Sequence, residues 1–327
     1  MSLICLGIES TAHTFGIGIV DSKGKVLANA KDAFTTQHGG IIPVKVADHH
    51  YNCAENVLAE ALKAANIRLG DIHLIAFSQG PGIGATLNVG AFVARTLSQR
   101  LKVPLTGINH CIAHLEIGKL MTKAKDPVLL YASGANTQII TWQQEAFRIM
   151  GESLDIGVGN FLDTFARDLG LGFPGGPLVE KMALKGKHYI ELPYVVKGMD
   201  VSFGGILTNL KQKIALKKYS KRNLCYSAQE TVFAMLIEVS ERAMAHVGKK
   251  ELLLGGGVTC NKRLQQMAEI MCRQRGAKSF CPQNQFLVDN GAMIAWNGIL
   301  NYKKGLITPL SKSAVKPYLR LEENLFA

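Results

Sequence analysis

The sequence predicts an α/β protein of two lobes, each made of a sheet with covering helices. Strand patterns alternate with helical patterns along the 327 residues, and glycine turns lie where strands meet helices. A strand-turn-strand unit at the N-terminus returns roughly 120 residues later. The chain is also longer than the size at which a single core usually stops growing, so two lobes are expected.

The first half of the chain supplies strands and two helices. The strand ICLGIES is followed by the polar turn TAHT and the strand FGIGIVD, and SKGK then forms a hairpin turn. AENVLAEALKAANI carries apolar residues at the spacing of a surface helix. The strand HLIAFSQ leads through the turn GPGIGA into a helix that includes GAFVARTLSQRL.

The second half repeats the opening unit as VLLYASGANTQIITWQQEAFRI. A long helix follows, for which Ser227 and Glu230 predict a capping box and Gly248 predicts the end. The strand ELLL and the loop GGGVTC then lead into a helix that begins near Asn261, and a last predicted helix begins around Asp289. We expect lobes over residues 1–125 and 126–327, with a final helix near 306–327 that packs back on the first lobe.

The composition favours a soluble protein with polyanionic partners. Lys and Arg number 37 against 25 Asp and Glu, which gives a formal net charge of +12, and basic proteins attract phosphates. The sequence contains no apolar run long enough to span a membrane and no secretory leader, so a cytoplasmic location is expected. Seven scattered cysteines without a CxxC pair predict reduced, mostly buried thiols.

His110 and His114 are four residues apart, a spacing that places two imidazoles on one helix face. The pair can bind a metal ion, or it can simply pack on the helix surface. Zinc peptidases place a catalytic glutamate between such histidines, whereas here Cys111, Ile112 and Ala113 intervene, which disfavours that class. Asp289 is a candidate further ligand, although it can equally cap the last helix.

Four glycine turns could bring backbone N–H groups close to an anionic ligand: SQGPGIGA, SGANT, FPGGP and LGGGVTCN. None matches the phosphate loop GxxxxGK[ST] or the dinucleotide fingerprint. Carboxylates lie near such turns at Glu9, Asp163, Glu180 and Asp200. Each could accept hydrogen bonds from ribose, hold a metal, act as a base or simply be solvated, and the sequence leaves these roles open.

In this order, the motifs resemble the TsaD family of tRNA N6-adenosine threonylcarbamoyltransferases, in its archaeal and eukaryotic form, the catalytic subunit of the KEOPS complex. The resemblance extends from about residue 3 to about residue 320. It implies the two-lobed fold of the actin, hexokinase and heat-shock ATPase superfamily. The motifs are GIESTAHTFGIGIV, FSQGPGIGATLNVG, NHCIAHLEIGK, YASGANTQ, GESLDIGVGNFLDTFAR, PGGP, KGMDVSF, GGGVTCNKRL and DNGAMIAW.

The resemblance also implies site residues. Two imidazoles, a phenolate and a carboxylate would hold one metal ion per chain, a donor set that suits Fe²⁺, with Zn²⁺ the second choice. Three positions depart from the family pattern: Ala135 replaces a glycine, Gly204 a serine and Ala85 a proline. The implied metal ligands are His110, His114, Tyr131 and Asp289, and the implied nucleotide contacts are Tyr131, Ala132, Ser133, Gly134, Ala135, Asp163, Gly176, Glu180 and Asn261.

The implied reaction transfers the threonylcarbamoyl group of threonylcarbamoyl-AMP to the exocyclic amine of the adenosine 3′ to the anticodon, in tRNAs that read ANN codons. Glu9, at the end of the first strand, is the candidate general base. Implied partners are tRNA, a small dimer-forming subunit, a kinase-like ATPase that is fused in some archaea, and a tRNA-binding subunit. A small-molecule kinase or ATPase of the same fold and a metal-dependent peptidase are the alternatives.

Overall fold

The computed structural model describes residues 2–36 and 41–321, which form two compact units. The first unit contains residues 2–34, 41–121 and 288–321, and the second contains residues 35–36 and 122–287. We had expected the second lobe to continue from residue 126 to the C-terminus. The structure instead returns the chain to the first unit at residue 288, because the last helix packs on the first sheet.

The strands and helices are numbered in chain order. The strands are β1 (Ile4–Glu9), β2 (Thr14–Asp21), β3 (Val26–Ala33), β4 (Leu74–Gly80), β5 (Leu105–Asn109), β6 (Val128–Ala132), β7 (Thr137–Gln143), β8 (Ala146–Glu152), β9 (Val196–Lys197), β10 (Asp200–Val201), β11 (Glu251–Gly255) and β12 (Lys278–Phe280). The helices are α1 (Pro43–Ala65), α2 (Gly84–Leu101), α3 (His110–Thr122), α4 (Val158–Asp168), α5 (Gly175–Ala183), α6 (Gly204–Ala215), α7 (Lys221–Val247), α8 (Lys262–Gln274), α9 (Asn284–Leu287) and α10 (Gly291–Lys303).

The two units contain five-stranded sheets of the same topology. The first sheet has the order β3-β2-β1-β4-β5, and the second, read from its antiparallel edge, has the order β8-β7-β6-β11-β12. In each sheet three consecutive antiparallel strands are followed by two parallel ones. The predicted duplication of a sheet-and-helix lobe is therefore confirmed.

The first sheet has helices on both faces. Leu6, Ile8 and Phe77 lie in a core with α1 and α2, and alternate residues of the same strands face α10. Strands covered on both faces bury nearly every side chain, which explains the continuous apolar runs in β1 and β4. The core of the second unit is built around α7, whose apolar residues pack on the second sheet and on α5.

The backbone of α10 contacts the backbone of β1 and β2 directly. A Cβ atom on Gly18 would lie 2.0 Å from the nitrogen of Ala292, and one on Gly7 would lie 2.1 Å from the nitrogen of Ala295. A Cβ atom on Gly291 would lie 2.0 Å from the nitrogen of Gly18. Glycine is therefore required on both sides of this contact, since any side chain would push the helix away from the sheet.

The start of α7 differs from the prediction, whereas the predicted end of α7 and start of α8 agree with the structure. The long helix α7 begins at Lys221 and is capped by Ser220, whose hydroxyl accepts a hydrogen bond from the Asn223 N–H. Ser227 and Glu230 thus lie inside the helix, and the predicted capping box is wrong. The predicted end at Gly248 is confirmed, because this glycine has φ +68° and closes the helix in the left-handed conformation. Asn261 caps α8 as expected near the predicted start.

The segment after α10 is not the helix that we expected near residues 306–327. Within residues 306–321, the described part of that segment, the structure shows a short 3₁₀ turn at Leu310–Lys312 and irregular backbone. The segment nevertheless packs on the first unit, since Gln79 Nε2 donates to the carbonyls of Lys312 and Ala314. Residues 322–327 lie outside the described part of the chain.

Two expectations about the chain as a whole can be compared with the structure. None of the seven cysteines, all of which lie in the described part of the chain, is paired in a disulfide, and five of them are buried, in agreement with the predicted mostly buried thiols. Among the described helices, none combines the length and the apolar character needed to cross a bilayer.

A carboxylate from a distant loop caps α6. Asp155 accepts hydrogen bonds from the N–H groups of Phe203 (2.9 Å) and Gly204 (2.7 Å), at the start of that helix, and from Ile156. Burial opposes the negative charge of this carboxyl, but the three backbone donors outweigh burial and lower the pKa of Asp155.

We predict that Asp155→Ala lowers the free energy of unfolding by about 1 kcal/mol, the usual cost of losing a helix cap. Because the folded-state pKa is lowered, the stabilisation is present above the ordinary pKa of an aspartate and is lost as the pH falls through the lower folded value. Urea unfolding of the parent chain and of Asp155→Ala at neutral and acidic pH measures both effects. Glu191→Gln, at an exposed position, serves as the control, and equal stability of both variants at neutral pH would contradict the cap.

Candidate functional site

The first unit brings together three of the four predicted metal ligands. His110 Nε2 lies 3.4 Å from Asp289 Oδ1, and His114 Nε2 lies 3.3 Å from the same oxygen. One donor atom from each of the three residues lies within 4.8 Å of the other two. Both histidines are buried, and the two rings meet edge to face with centroids 4.8 Å apart. The spacing of four residues thus places both imidazoles against one carboxylate.

Two asparagines fix the segments that carry these ligands. Asn109 ends β5, and its Oδ1 accepts from the N–H of Cys111 at 3.0 Å, which starts α3 with His110 in its first turn. Asn290 caps α10 by accepting from the Met293 N–H at 3.0 Å. Asp289 therefore does not cap α10, and the alternative interpretation of Asp289 as a capping residue is wrong. Its carboxylate instead contacts both histidines.

Glu9 is buried behind His110. Its Oε2 lies 3.0 Å from His110 Nδ1, and its Oε1 accepts from the backbone N–H of Thr11 at 2.7 Å and from the Thr11 hydroxyl. A carboxylate is the acceptor for an imidazole N–H, so Nδ1 carries a proton and Nε2 is the atom directed at Asp289. These contacts hold the His110 ring in one tautomer and one orientation.

The charges of this cluster are strongly coupled. Burial opposes a positive charge on His110, but the carboxylates of Glu9 and Asp289 outweigh it and raise the pKa of His110 to about 10. Burial lowers the pKa of His114, and the adjacent His110 adds to this effect. For Asp289, burial opposes ionisation, yet the two histidines hold the pKa of that carboxyl well below its usual range. Two carboxylates therefore face two imidazoles in a buried site.

This donor set fits a divalent metal ion. Metal bonds of about 2.1 Å separate neighbouring ligand atoms by about 3.0–3.4 Å, and the two distances to Asp289 Oδ1 are close to that range. A divalent cation also neutralises the two carboxylates when it replaces the proton on His110 Nε2. The hydrogen bond between His110 and Glu9 is the outer contact that metal-bound histidines usually make. Tyr131, the fourth predicted ligand, belongs to the second unit and remains a prediction.

The second unit places the predicted nucleotide-binding segment 131–135 between glycines. Tyr131 and Ala132 end β6, where both are buried. A Cβ atom on Gly159 would lie 2.6 Å from the Gly134 Cα, and one on Gly256 would lie 2.4 Å from the Ala132 oxygen. Three glycine motifs that are far apart in sequence, SGANT, DIGVGN and LGGGVTCN, therefore meet at one end of the second sheet.

Gly134 itself is open toward solvent. A Cβ atom on Gly134 would have only Asn160 Oδ1, at 3.7 Å, within 4 Å, so a ligand can approach this backbone closely. Ala135, one of the three departures from the family pattern, is exposed beside it, and its oxygen lies against Gly157. Ser133 closes the turn, since its N–H donates to the Asn136 carbonyl at 2.9 Å. The segment thus offers main-chain groups in a fixed turn.

The polar nucleotide-binding candidates of the second unit have side-chain oxygens that contact the N-termini of helices. Asn261 Oδ1 accepts from the N–H of Arg263 at the start of α8, and Glu180 Oε1 accepts from the Lys262 N–H at 2.8 Å. Asp163 Oδ1 accepts from the Gly175 N–H at 2.7 Å, at the start of α5, next to Gly176. Helix N-termini carry unpaired N–H groups that favour anions. Glu180 and Asn261 are thus brought together at α8.

Three further residues from the sequence analysis have structural explanations: Gly204 and Ala85, which differ from the family pattern, and the candidate carboxylate Asp200. A Cβ atom on Gly204 would lie 3.0 Å from Asp155 Oδ2, where the carboxylate caps α6. Ala85 lies in the first turn of α2, a position at which proline is also well tolerated. Asp200, a candidate carboxylate from the sequence, accepts from the Glu152 N–H at 2.9 Å.

Comparison with known proteins identifies the family. Residues 25–296 match the family model described as tRNA N6-adenosine threonylcarbamoyltransferase, TsaD. The chain belongs to this family. A member from Thermococcus kodakarensis with that name is 52% identical over 321 residues, which cover 98% of each chain. A "Probable bifunctional tRNA threonylcarbamoyladenosine biosynthesis protein" from Methanosarcina mazei is 49% identical over 321 residues, which cover 97% of this chain but 58% of that protein.

The fold is shared with a wider group of proteins. The crystal structure of HypF from T. kodakarensis aligns with 93% of this chain and 48% of that chain, with a TM-score of 0.67 at 15% sequence identity. At this identity the likeness concerns the fold alone. The predicted class, an α/β fold with two sheet-and-helix units of like topology, is confirmed.

Some residues that build the site of this TsaD family member were not singled out from the sequence. Thr11 holds Glu9, Asn109 starts α3, and Asn290 starts α10. An asparagine directly before a helical pattern is a capping signal, so Asn109 and Asn290 could have been found. Thr11 carries no comparable signal, because its role depends on the contact between β1 and α3.

We predict that Gly18→Ala weakens metal binding through the position of α10. The added methyl cannot fit beside Ala292, so α10 moves and carries Asp289 away from the histidines. We expect the free energy of unfolding to fall by about 3 kcal/mol, the upper end of the usual overpacking cost.

Zn²⁺ titration and thermal unfolding of the folded variant measure both effects. Gly70→Ala is the matched control, because no atom lies within 4 Å of a Cβ placed there. An unchanged Zn²⁺ affinity in folded Gly18→Ala would show that the position of α10 does not determine the site.

Proposed function

We propose that this chain is a tRNA-modifying acyltransferase that moves the threonylcarbamoyl group of threonylcarbamoyl-AMP to the exocyclic amine of the adenosine 3′ to the anticodon, in tRNAs that read ANN codons. Membership in the family supports this proposal most directly. The geometry adds a cation-binding cluster in the first unit and a turn lined by glycines, suited to an adenylate, in the second. A cytoplasmic location belongs to the same proposal.

In the first unit, His110, His114 and Asp289 would hold one metal ion, Fe²⁺ by preference and Zn²⁺ as the second choice, with Tyr131 as a further proposed ligand. When bound, the ion supplies a positive charge that can orient the threonyl group or stabilise charge on the carbamoyl oxygen. The protein's own contribution is the fixed direction of His110 Nε2, which Glu9 and Thr11 maintain. In place of the predicted general base, we therefore propose that Glu9 is a positioning residue.

In the second unit, main-chain groups of Tyr131, Ala132, Ser133, Gly134 and Ala135 would hold the adenylate, and Gly176 would lie beside it. Asp163 and Glu180 would accept hydrogen bonds from ribose hydroxyls, Asn261 would be a further nucleotide contact, and the glycine turns would lie against the adenosine and the phosphate. The amine attacks the carbamoyl carbon, the bond from that carbon to the phosphate oxygen breaks, and AMP leaves with the electron pair. The proton that the amine loses passes to the departing phosphate or to solvent. Holding both reactants in one orientation removes much of the entropic barrier to such a transfer.

The tRNA partner is supported by the charge of the chain and by a basic cavity in the second unit. That cavity, of about 380 Å³, is lined by Lys185, Lys187, His188 and Arg222, among other residues. Its cationic side chains suit the phosphates of a nucleic acid. The target adenosine is most easily reached in a loop whose bases are unstacked.

The remaining partners are also proposals. Some relatives carry this domain within a longer protein whose name includes the word bifunctional, which supports a second activity joined to it. We propose that this second activity is the kinase-like ATPase of the KEOPS complex, and that a small dimer-forming subunit and a tRNA-binding subunit complete the assembly.

The two alternative functions explain less of the structure. A small-molecule kinase would use the same fold but would leave the cluster of His110, His114 and Asp289 without a purpose. A metal-dependent peptidase would use the histidines, but Cys111, Ile112 and Ala113 occupy the positions between them, so the glutamate base is missing.

We predict that His110→Ala abolishes both metal binding and single-turnover transfer of labelled threonylcarbamoyl-AMP to unmodified tRNA, with partner subunits present. Loss of one of two imidazole ligands leaves too few donors for tight binding. Lys25→Ala, in the exposed hairpin turn, is the control and should retain both. No transfer by the folded, metal-loaded parent would contradict the proposed reaction, and ATP-dependent phosphorylation of a small polar acceptor would then favour the kinase.

We predict that Glu9→Gln lowers metal affinity about 10-fold to 100-fold, as expected for the loss of an outer contact to a metal-bound histidine. Transfer should fall at limiting metal and recover at saturating metal, while adenylate binding stays unchanged. A general base would give the opposite result, with unchanged metal affinity and a rate that excess metal does not restore. Equilibrium dialysis together with the single-turnover assay separates the two roles.

A further inference from the structure

A second group of metal-binding side chains lies in the first unit, apart from the residues of the proposed centre. Asp32 is near the end of the edge strand β3, and His49, His50 and Cys53 lie on α1, which packs against that strand. One donor atom from each of Asp32, His49 and Cys53 lies within 4.8 Å of the other two. His50 is fully buried, Cys53 is nearly so, and Asp32 is exposed, which leaves the cluster reachable from solvent.

The hydrogen bonds assign the protons of both imidazoles. His50 Nε2 lies 2.9 Å from the Ala12 carbonyl oxygen, and His49 Nε2 lies 3.1 Å from Asp32 Oδ1. Both partners can only accept, so the Nε2 atom of each ring carries a hydrogen. In a neutral imidazole the other nitrogen then has only a lone pair. Nδ1 of both rings is therefore an acceptor in the neutral state.

These two acceptors face each other. His49 Nδ1 lies 3.2 Å from His50 Nδ1, and Cys53 Sγ lies 4.0 Å from the same His49 nitrogen. Two lone pairs at this distance repel unless a positive species lies between them, either a proton or a metal ion. Burial lowers the pKa of His50 to about 4, with His49 and His13 adding to the effect and the Ala12 carbonyl and Asp32 opposing it, so His50 is neutral at neutral pH.

We propose that these residues form a second metal site, in which His49 Nδ1 and His50 Nδ1, 3.2 Å apart, bind a zinc-type divalent ion. Cys53 Sγ, 4.0 Å from the His49 nitrogen, is the third proposed ligand and gives up its proton to solvent when the ion binds. Two nitrogen ligands of a tetrahedral zinc ion lie about 3.3 Å apart, close to the distance between these nitrogens. Each ring already makes the outer contact that metal-bound histidines need, His49 to a carboxylate and His50 to a carbonyl. The thiol gives this site a softer donor set than the centre at His110.

The site has a structural consequence for the first unit. The ligands lie on α1, and Asp32 connects them to the edge strand β3 through His49. An ion that fixes the His49 ring would therefore hold this existing contact between the middle of α1 and the end of β3, the edge strand of the first sheet among the described residues. Because a ligand that binds only the folded state stabilises it, Zn²⁺ should raise the melting temperature of the chain.

The test uses Co²⁺ as a spectroscopic probe in the double variant His110→Ala/His114→Ala, which removes the proposed first centre. We expect one Co²⁺ per chain with a thiolate-to-cobalt absorption band, and displacement of Co²⁺ by Zn²⁺. Adding Cys53→Ser should abolish the band. Adding Cys281→Ser should leave it unchanged, since Cys281 is the exposed cysteine and is the control for adventitious binding.

A second variant tests whether loss of the band results from loss of a ligand or from misfolding. His49 is partly exposed, and His49→Gln should also remove the band and the rise in melting temperature with Zn²⁺, while circular dichroism stays unchanged. The proposal is overturned if Co²⁺ gives no thiolate band, or if the band survives Cys53→Ser. In either case Cys53 and the two imidazoles do not form the proposed metal site. Neither outcome depends on whether the chain transfers threonylcarbamoyl groups.

Discussion

The direct backbone contact between α10 and the β1–β2 hairpin is the constraint on which the first unit depends. Gly7, Gly18 and Gly291 allow the helix to approach the sheet so closely that no Cβ atom fits between them. This approach fixes the start of α10 and therefore the position of Asp289. The two histidines lie in the first half of α3, far from Asp289 in the sequence. The contact between α10 and the β1–β2 hairpin therefore determines whether the three ligand groups meet.

The two units share a sheet topology but present different chemistry. The first unit gathers charged side chains, with Glu9, His110, His114 and Asp289 in one buried cluster. The second unit gathers glycine turns around residues 131–135, so its candidate ligand contacts are mostly main-chain groups. A side-chain cluster binds a cation through fixed charges, whereas exposed main-chain N–H groups suit an anion such as a phosphate. The duplicated architecture thus supports two complementary kinds of ligand.

Much of the fold was predictable because its signals are local. The strand patterns, the turn at SKGK, the stop at Gly248 and the cap at Asn261 depend on neighbouring residues. The errors concern long-range packing. Ser227 looked like a cap but lies inside α7, where its hydroxyl contacts the Ile190 N–H. The return of residues 288–321 to the first unit depends on glycines about 270 positions apart, which no local pattern reveals.

The site was predictable to a similar degree. The spacing of His110 and His114 indicated a shared helix face, and only the fold could show that Asp289 meets both rings. The role of Glu9 required the structure, because its partner His110 is 101 residues away in sequence. The cluster at His49 gave no signal in the sequence, since two adjacent histidines on a helix normally point in different directions. The hydrogen bonds to Ala12 and Asp32 turn their Nδ1 atoms toward each other.

Because the first unit is discontinuous in sequence, its parts are synthesised at different times. A ribosome makes α3 and its histidines long before it makes Asp289, and residues 122–287 of the second unit emerge in between. Domains commonly begin to fold while the chain is still growing. Until α10 has been synthesised, one face of the first sheet therefore remains uncovered. The cluster of His110, His114 and Asp289 is complete only once residue 289 has been translated, so a chain that terminates earlier carries the histidines without their carboxylate.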